Sequence, residues 1–399
     1  MHRRHFLGLS ASAFAFLSPG FAYGTGDKYG ALRGFPTGWG GGHQKDPAYR
    51  VGNYSGGFDH MLPYRAIPKP ITPSALVKSY VSDFNYKAGF STRSVKDYLD
   101  RWPTTGLLIC KHNRILVEEY RFGRTEAMRL TSWSMAKSIT SLLLGICLDK
   151  KLIKSYEDTA ATYLPELSGT LHGEVTLRNL SNMSSGANVS HEPDNAAIIY
   201  PRGLINKGSS IRTLVSSWNQ RKDEQGVRYN YNELCPLTIG MVIRKVTGVS
   251  MSEFAEQTLW SPLGAEANAT WTTDSEHNEF NCVGFAAVLR DWARLGLLIA
   301  NKGKVDSTQV VSESWVRECT SWGPLDRQVR FNLAMQNRGY KAFFWHWKGD
   351  GSRPFFNGHH GQRVFIDIPS GVVLVHTAVD HDGDWQTELN SMIDSAASI

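Results

Sequence analysis

The chain has 399 residues, 41% of them hydrophobic, which suits one large domain or two modest ones and is too apolar for a disordered chain. Its 43 Lys and Arg exceed its 37 Asp and Glu by six, and loss of Arg3 and Arg4 with an N-terminal leader leaves a surplus of four. So small a surplus, with no run of basic residues, excludes an electrostatic case for nucleic acid as a partner.

Arg3-Arg4-His5-Phe6-Leu7 precedes a mostly apolar stretch from Gly8 to Leu17, and Gly20-Phe21-Ala22 offers the small residues of a cleavage site. This is the pattern of a signal peptide over residues 1–22. Its paired arginines point to twin-arginine export and a periplasmic or secreted protein. The apolar stretch is shorter than the ~20 residues that span a bilayer, and no longer one follows, so no membrane association is expected after the signal is removed. Residues 23–94 read as an N-terminal extension. Eleven glycines between Tyr23 and His60 predict an extended, loop-rich wrap rather than packed elements.

The main domain is expected over 95–399. Leu107-Leu108-Ile109-Cys110 and Ile115-Leu116-Val117 flank a polar Lys111-His112-Asn113-Arg114, which predicts a hairpin. Near the other end, Val364 to Ile368 and Val372 to Val375 flank the turn residues Pro369-Ser370-Gly371 and predict another. Ala136 to Leu148 is apolar almost all round, as in a fully buried helix. Leu237 to Thr247 ends at the helix stop Gly248, Asp291 to Leu298 is amphipathic, and Trp385, Leu389, Met392 and Ile393 recur at helical spacing. Strands at both ends with helices between predict an α/β (α+β) fold. Its centre is an antiparallel sheet closed by both termini, flanked by helices, with a large mainly helical insert. The five cysteines, Cys110, Cys147, Cys235, Cys282 and Cys319, have no paired spacing, so neither a disulfide framework nor a zinc pattern is read from them.

Three stretches could carry chemistry. Trp133-Ser134-Met135-Ala136-Lys137 lies where a polar stretch runs into the buried helix. A spacing of three puts Ser134 and Lys137 on one helix face, and the unpaired amides of the first turn suit a developing negative charge. A serine hydroxyl needs a neighbour to take its proton, and a lysine desolvated at a buried helix start can have its pKa lowered enough to do so. The alternative is a serine cap with a snorkelling lysine. Arg228-Tyr229-Asn230-Tyr231-Asn232-Glu233 places a tyrosine just before a helix, where it can enter a cleft or simply pack. Asn357-Gly358-His359-His360-Gly361-Gln362 leads into the Val364 strand, where glycine permits close backbone approach to a ligand and an edge amide could bind an oxyanion.

In this order and at these separations, the three stretches resemble the serine β-lactamase and penicillin-binding superfamily, most closely the class C β-lactamases, related esterases and 6-aminohexanoate-dimer hydrolases. Leu177 to Gly186 looks like the family's "LLxMTSG" segment, and Tyr49 to Ser55 looks like the dimer-hydrolase branch. The resemblance implies a β-lactamase/transpeptidase-like fold and acyl transfer through a seryl intermediate, with Ser134 as nucleophile. Lys137 and Tyr231 handle the proton, and which of them is the base stays open. The backbone amides of Ser134 and His359 form the oxyanion hole, and Glu233, Gly358 and His360 line the substrate site. No cofactor or metal is called for; the partner is a small-molecule substrate. The chain departs from the family pattern in three places. Tyr-x-Asn becomes Tyr231-Asn232-Glu233, the Lys-Thr-Gly strand motif falls near Phe356-Asn357-Gly358 without a lysine, and the loop from Ser190 to Asn195 lacks a tyrosine.

The leading reading is therefore a serine hydrolase of small esters or amides. Its alternatives are a β-lactamase or D-Ala peptidase-type activity, or a non-catalytic module that kept the cleft. A metal hydrolase built on His359, His360 and the loop Asp380-His381-Asp382-Gly383-Asp384 is disfavoured. Its calcium-like start lacks the twelfth-place Glu, which here is Ser391, and adjacent strand histidines point to opposite faces.

Overall fold

The structure is a computed structural model that describes residues 26–39, 41–190, 194, 198, 209–323, 326, 339–380 and 385–399. The expected signal peptide, most of the Ser190–Asn195 loop and residues 381–384 of the acidic loop lie outside the described residues.

An eight-stranded sheet forms the spine. In chain order its strands are β1 (Val77–Lys78), β2 (Thr104–Lys111), β3 (Arg114–Tyr120), β4 (Gly339–Lys341), β5 (Phe344–His346), β6 (Pro354–Gly358), β7 (Gln362–Asp367) and β8 (Val372–Ala378). Across the sheet they run β4-β5-β6-β7-β8-β2-β3-β1. Strands from the two ends of the domain thus meet at its centre, where β2 and β8 pair antiparallel with Leu108 opposite Val375 and Cys110 opposite Val373. The expected central antiparallel sheet gains one short parallel edge, because β1 pairs in parallel with β3. Two residues are too few to leave a pattern in the sequence.

The period of two along each strand sends alternate side chains to two separate cores. Leu107, Ile109, Phe365, Val372 and Leu374 face the C-terminal helix Trp385–Ala397 and pack with Trp385, Leu389, Met392 and Ile393. Leu108, Cys110, Val364, Ile366, Val373 and Val375 face the larger core. There the helix Leu289–Ala300 lies on the sheet, and Gly296 lets it come close, since a Cβ at that position would sit 2.5 Å from Val373 Cγ1. Burial on both faces is why these strands read as continuous apolar runs.

The helix Ala136–Asp149 is buried from Ala136 to Cys147 and packs against the helix Leu234–Thr247, which ends at Gly248 in the left-handed region. The insert is not purely helical. Leu130–Thr131, Ala269–Thr272 and Phe285–Ala287 join Tyr64–Ile67 in a four-stranded sheet. The N-terminal extension also differs from the expected wrap. Gly41–Lys45 and Pro47–Tyr54 are helices, the second opened by the Asp46 side chain accepting from the Ala48 N–H with Pro47 in the first turn.

Candidate active site

The nucleophile turn is built where the small sheet feeds the buried helix. The Ser132 N–H donates to the Phe285 carbonyl at 2.7 Å, and Trp133–Met135 then form one 3₁₀ turn before the helix begins. Trp133 has φ of +43°, a left-handed conformation unusual for a bulky residue. In a run that is otherwise buried from Leu130 to Cys147, Ser134 alone is partly exposed.

Lys137 follows one turn later with only 1% of its surface exposed. Its ammonium donates to Ser134 Oγ at 2.9 Å and to the Cys282 carbonyl at 2.9 Å, and pairs with Glu233 Oε2 at 2.6 Å. Glu233 stands at the N-cap of the helix Leu234–Thr247 and is buried. The expected place for Glu233 among the substrate-binding groups is therefore corrected: its carboxylate is committed to Lys137. The expectation of a lysine whose pKa is lowered by desolvation, and which is therefore free to accept a proton, fails for the same reason. Burial does push the Lys137 pKa down, but Glu233, then Tyr231 and Cys282, push it up by more, and it ends above that of an ordinary lysine. Lys137 is an ammonium throughout the neutral range.

Tyr231 lies over this cation, with Nζ 4.9 Å from the ring centroid. Its hydroxyl hydrogen-bonds with Lys137 and Ser134. Burial raises the phenol, Lys137 draws it back and Glu233 raises it, leaving it at about 12. Tyr340 and Trp345, both 5.9 Å away between ring centroids, wall the outer side of Tyr231.

The third sequence stretch faces the nucleophile turn from β6. Gly358 was expected to admit a ligand; its close neighbour is the backbone instead. A Cβ there would lie 2.2 Å from the Ser132 carbonyl oxygen. His359–Gly361 then make a 3₁₀ turn, with His360 at φ of +54°. The two histidines therefore do not point to opposite faces. Their ring centroids are 3.8 Å apart, and both rings contact Trp133, at 5.7 Å for His359 and 6.3 Å for His360. Among the described residues, no group of three or more His, Cys, Asp or Glu gathers that could hold a metal ion. Gln362 holds the turn by donating to the carbonyls of His359, His360 and Ala378.

The residues missed in the sequence come from the N-terminal helix. Tyr54 OH is 2.6 Å from His360 Nδ1, Asn53 Nδ2 is 2.8 Å from His43 Nδ1, and Arg50 donates to the Val379 carbonyl at 2.6 Å. His43, Tyr54 and Phe58 all pack on Trp133. The available signal was Asp46-Pro47, a cap followed by a first-turn proline. All five cysteines are free and buried.

A central antiparallel sheet, with a partly exposed serine and a buried lysine at the head of a core helix, defines a serine hydrolase of the penicillin-recognising class. Residues 92–389 match the Beta-lactamase family, and the chain belongs to it. It is 22% identical over 306 residues to the 6-aminohexanoate-dimer hydrolase of Paenarthrobacter ureafaciens, covering 72% of this chain and 75% of that protein. A proposed 6-aminohexanoate-dimer hydrolase from Bacillus anthracis has a similar structure, with a TM-score of 0.77 at 22% identity over 88% of this chain and 94% of that one. A family VIII carboxylesterase gives a TM-score of 0.58 at 16% identity over 76% and 96%.

Proposed function

We propose that the protein is an exported hydrolase that cleaves a small ester or linear amide through a seryl acyl-enzyme. The observation that carries this is the Lys137 ammonium 2.9 Å from the only partly exposed side chain in the buried run, Ser134 Oγ. Ser134 Oγ bonds to the substrate carbonyl carbon and gives up its proton. Lys137 is already protonated, so the acceptor is Tyr231 as its minor phenolate form. Tyr231 returns the proton to the departing alkoxide or amine as the carbonyl–leaving-group bond breaks. It then takes a proton from the attacking water and passes it to Ser134 Oγ as the bond between the acyl carbon and the serine oxygen breaks, which frees the acid and restores the phenolate. The amides of Ser134 and His359 hold the oxyanion, and His360 borders the substrate.

β-Lactams should be poor substrates. The strand at Phe356-Asn357-Gly358 offers no cation for their carboxylate, and a missing charge-assisted hydrogen bond is worth roughly 1.5–3 kcal/mol, or about ten- to a hundredfold in binding. Glu233, tied to Lys137, adds no repulsion to this argument. Esters should exceed amides, whose poorer leaving group demands a proton donor that the Ser190–Asn195 loop does not supply as a tyrosine. The test compares kcat/KM on a short-chain nitrophenyl ester, its anilide and a chromogenic cephalosporin, with covalent labelling by a fluorophosphonate as a substrate-free readout. A preference for the cephalosporin, or no labelling of Ser134, overturns the reading.

A further inference from the structure

We infer that Glu233 is a positioning residue for this hydrolase: from its helix N-cap it grips the Lys137 ammonium, making Lys137 a fixed cation and leaving Tyr231 to take the serine proton. The inference rests on the serine-hydrolase reading and adds to it a residue that stands where the family pattern has Asn.

The geometry is specific. The Lys137 ammonium is held at 2.9 Å from Ser134 Oγ, 2.9 Å from the Cys282 carbonyl and 2.6 Å from Glu233 Oε2, with the Tyr231 hydroxyl as a further partner. Lys137 and Glu233 are both buried, at 1% and 2% exposure. A buried ion pair holds when its remaining valences are satisfied, and removal of one partner leaves the other charge uncompensated. Glu233 therefore fixes both where the Lys137 ammonium sits and what charge it carries.

The other groups around this centre do not supply a competing charge. Facing Lys137 are Glu233, Tyr231 and Cys282. Facing Tyr231 are Lys137, Glu233 and Ser134. Tyr229 feels Tyr231 and Glu233, Tyr340 feels those two together with Tyr229 and Cys235, and Cys282 feels Glu233 and Lys137. Burial holds all of these phenols and thiols above their ordinary range, so among these described groups the ion pair is that of Lys137 with Glu233. Glu233 acts in the same sense on both proton carriers, raising Lys137 and raising Tyr231. Taking its charge away must lower both, whichever one accepts the serine proton.

The experiment follows the rate of Ser134 labelling by a fluorophosphonate from pH 6 to 11 in the wild type, Glu233→Gln and Glu233→Asp. In the wild type the rate should climb through the whole range. In Glu233→Gln the climb should level off at a pH lower by about one to three units, the size of shift a neighbouring charge produces. Glu233→Asp keeps the charge and should climb through the whole range as the wild type does, at reduced rates. A purely structural role would lower the rates in both variants and leave the shape of the profile alone. A Glu233→Gln profile that climbs through the whole range like the wild type overturns the inference, as does a wild-type plateau below pH 9. Should Glu233→Gln fail to fold, Glu233→Asn, equally neutral and smaller, is read in the same way. Labelling that survives in Ser134→Ala counts against the hydrolase reading, not against the role of Glu233.

Discussion

Gly358→Ala tests whether the nucleophile turn is set by the strand beside it. Gly358 has an extended backbone, φ of −121°, so alanine meets no conformational penalty there. What it meets is the Ser132 carbonyl oxygen at 2.2 Å and the Gln362 Cβ at 2.8 Å. Neither is the far end of a flexible side chain, so β6 or the Ser132–Ser134 turn must retreat by roughly 1 Å. A displacement of that size at a reacting centre costs on the order of a hundredfold in rate. Overpacking of this kind costs about 1–3 kcal/mol, against the roughly 5–15 kcal/mol of a typical folded domain, so the variant should remain folded. Measured on a short-chain nitrophenyl ester, kcat should fall about a hundredfold with KM little changed and the circular dichroism spectrum intact. A kcat within threefold of the wild type would refute the argument that this contact fixes the nucleophile.

Tyr54→Phe keeps the ring on Trp133 and removes the bond to His360; at about 0.5–1.5 kcal/mol, kcat/KM should fall roughly two- to tenfold, and an unchanged value would show that the turn holds itself. Ser134→Ala and Lys137→Ala should each abolish most turnover, and the double variant should be little worse than Ser134→Ala because the pair acts as one unit; additive losses would speak for separate roles. The five cysteines, all buried and all raised in pKa by burial, should resist a disulfide-exchange reagent in the native protein and react fully in denaturant; rapid reaction of the native protein contradicts their placement. Replacing Arg3 and Arg4 by lysine should block export, read by fractionation, and normal export would point to the general secretory route.

The elements that could be read from the sequence are those whose burial is complete and local. β2, β3, β7 and β8 and the helix Ala136–Asp149 announce themselves because each contains an unbroken apolar run, such as Leu107–Cys110, Ile115–Val117, Val364–Ile366, Val372–Val375 and Leu142–Leu144. The helix Pro47–Tyr54 did not, because what it buries is polar: Arg50, Asn53 and the Tyr54 hydroxyl find partners at Val379, His43 and His360. Surrounding glycines then suggested loop. At the site, Ser134 and Lys137 could be named from spacing and Tyr231 from the family resemblance, whereas the charge state of Lys137 could not be read. Burial by itself predicts a lowered pKa, and the reversal comes from Glu233, 96 positions away in the chain. Gly358 was legible as a point of close approach; that the approaching group is Ser132 and not a ligand required the fold.

The left-handed Trp133 ties the two halves of this picture together. Holding a bulky residue at positive φ costs about 1–3 kcal/mol and persists only where the surroundings impose it. Trp133 is 2% exposed, and burying an indole of that size returns roughly 4–6 kcal/mol. Burial therefore wins, on condition that the pocket exists. His43, Tyr54 and Phe58 form one wall of that pocket, and His359 and His360 form the other. The first wall lies before residue 92, outside the stretch that matches the family. The strain that aims Ser134, the next residue in the chain, is thus maintained by a segment that precedes the matched stretch and whose Tyr49 to Ser55 resembles the dimer-hydrolase branch. The same segment, through Tyr54, also holds the turn proposed to bind the oxyanion.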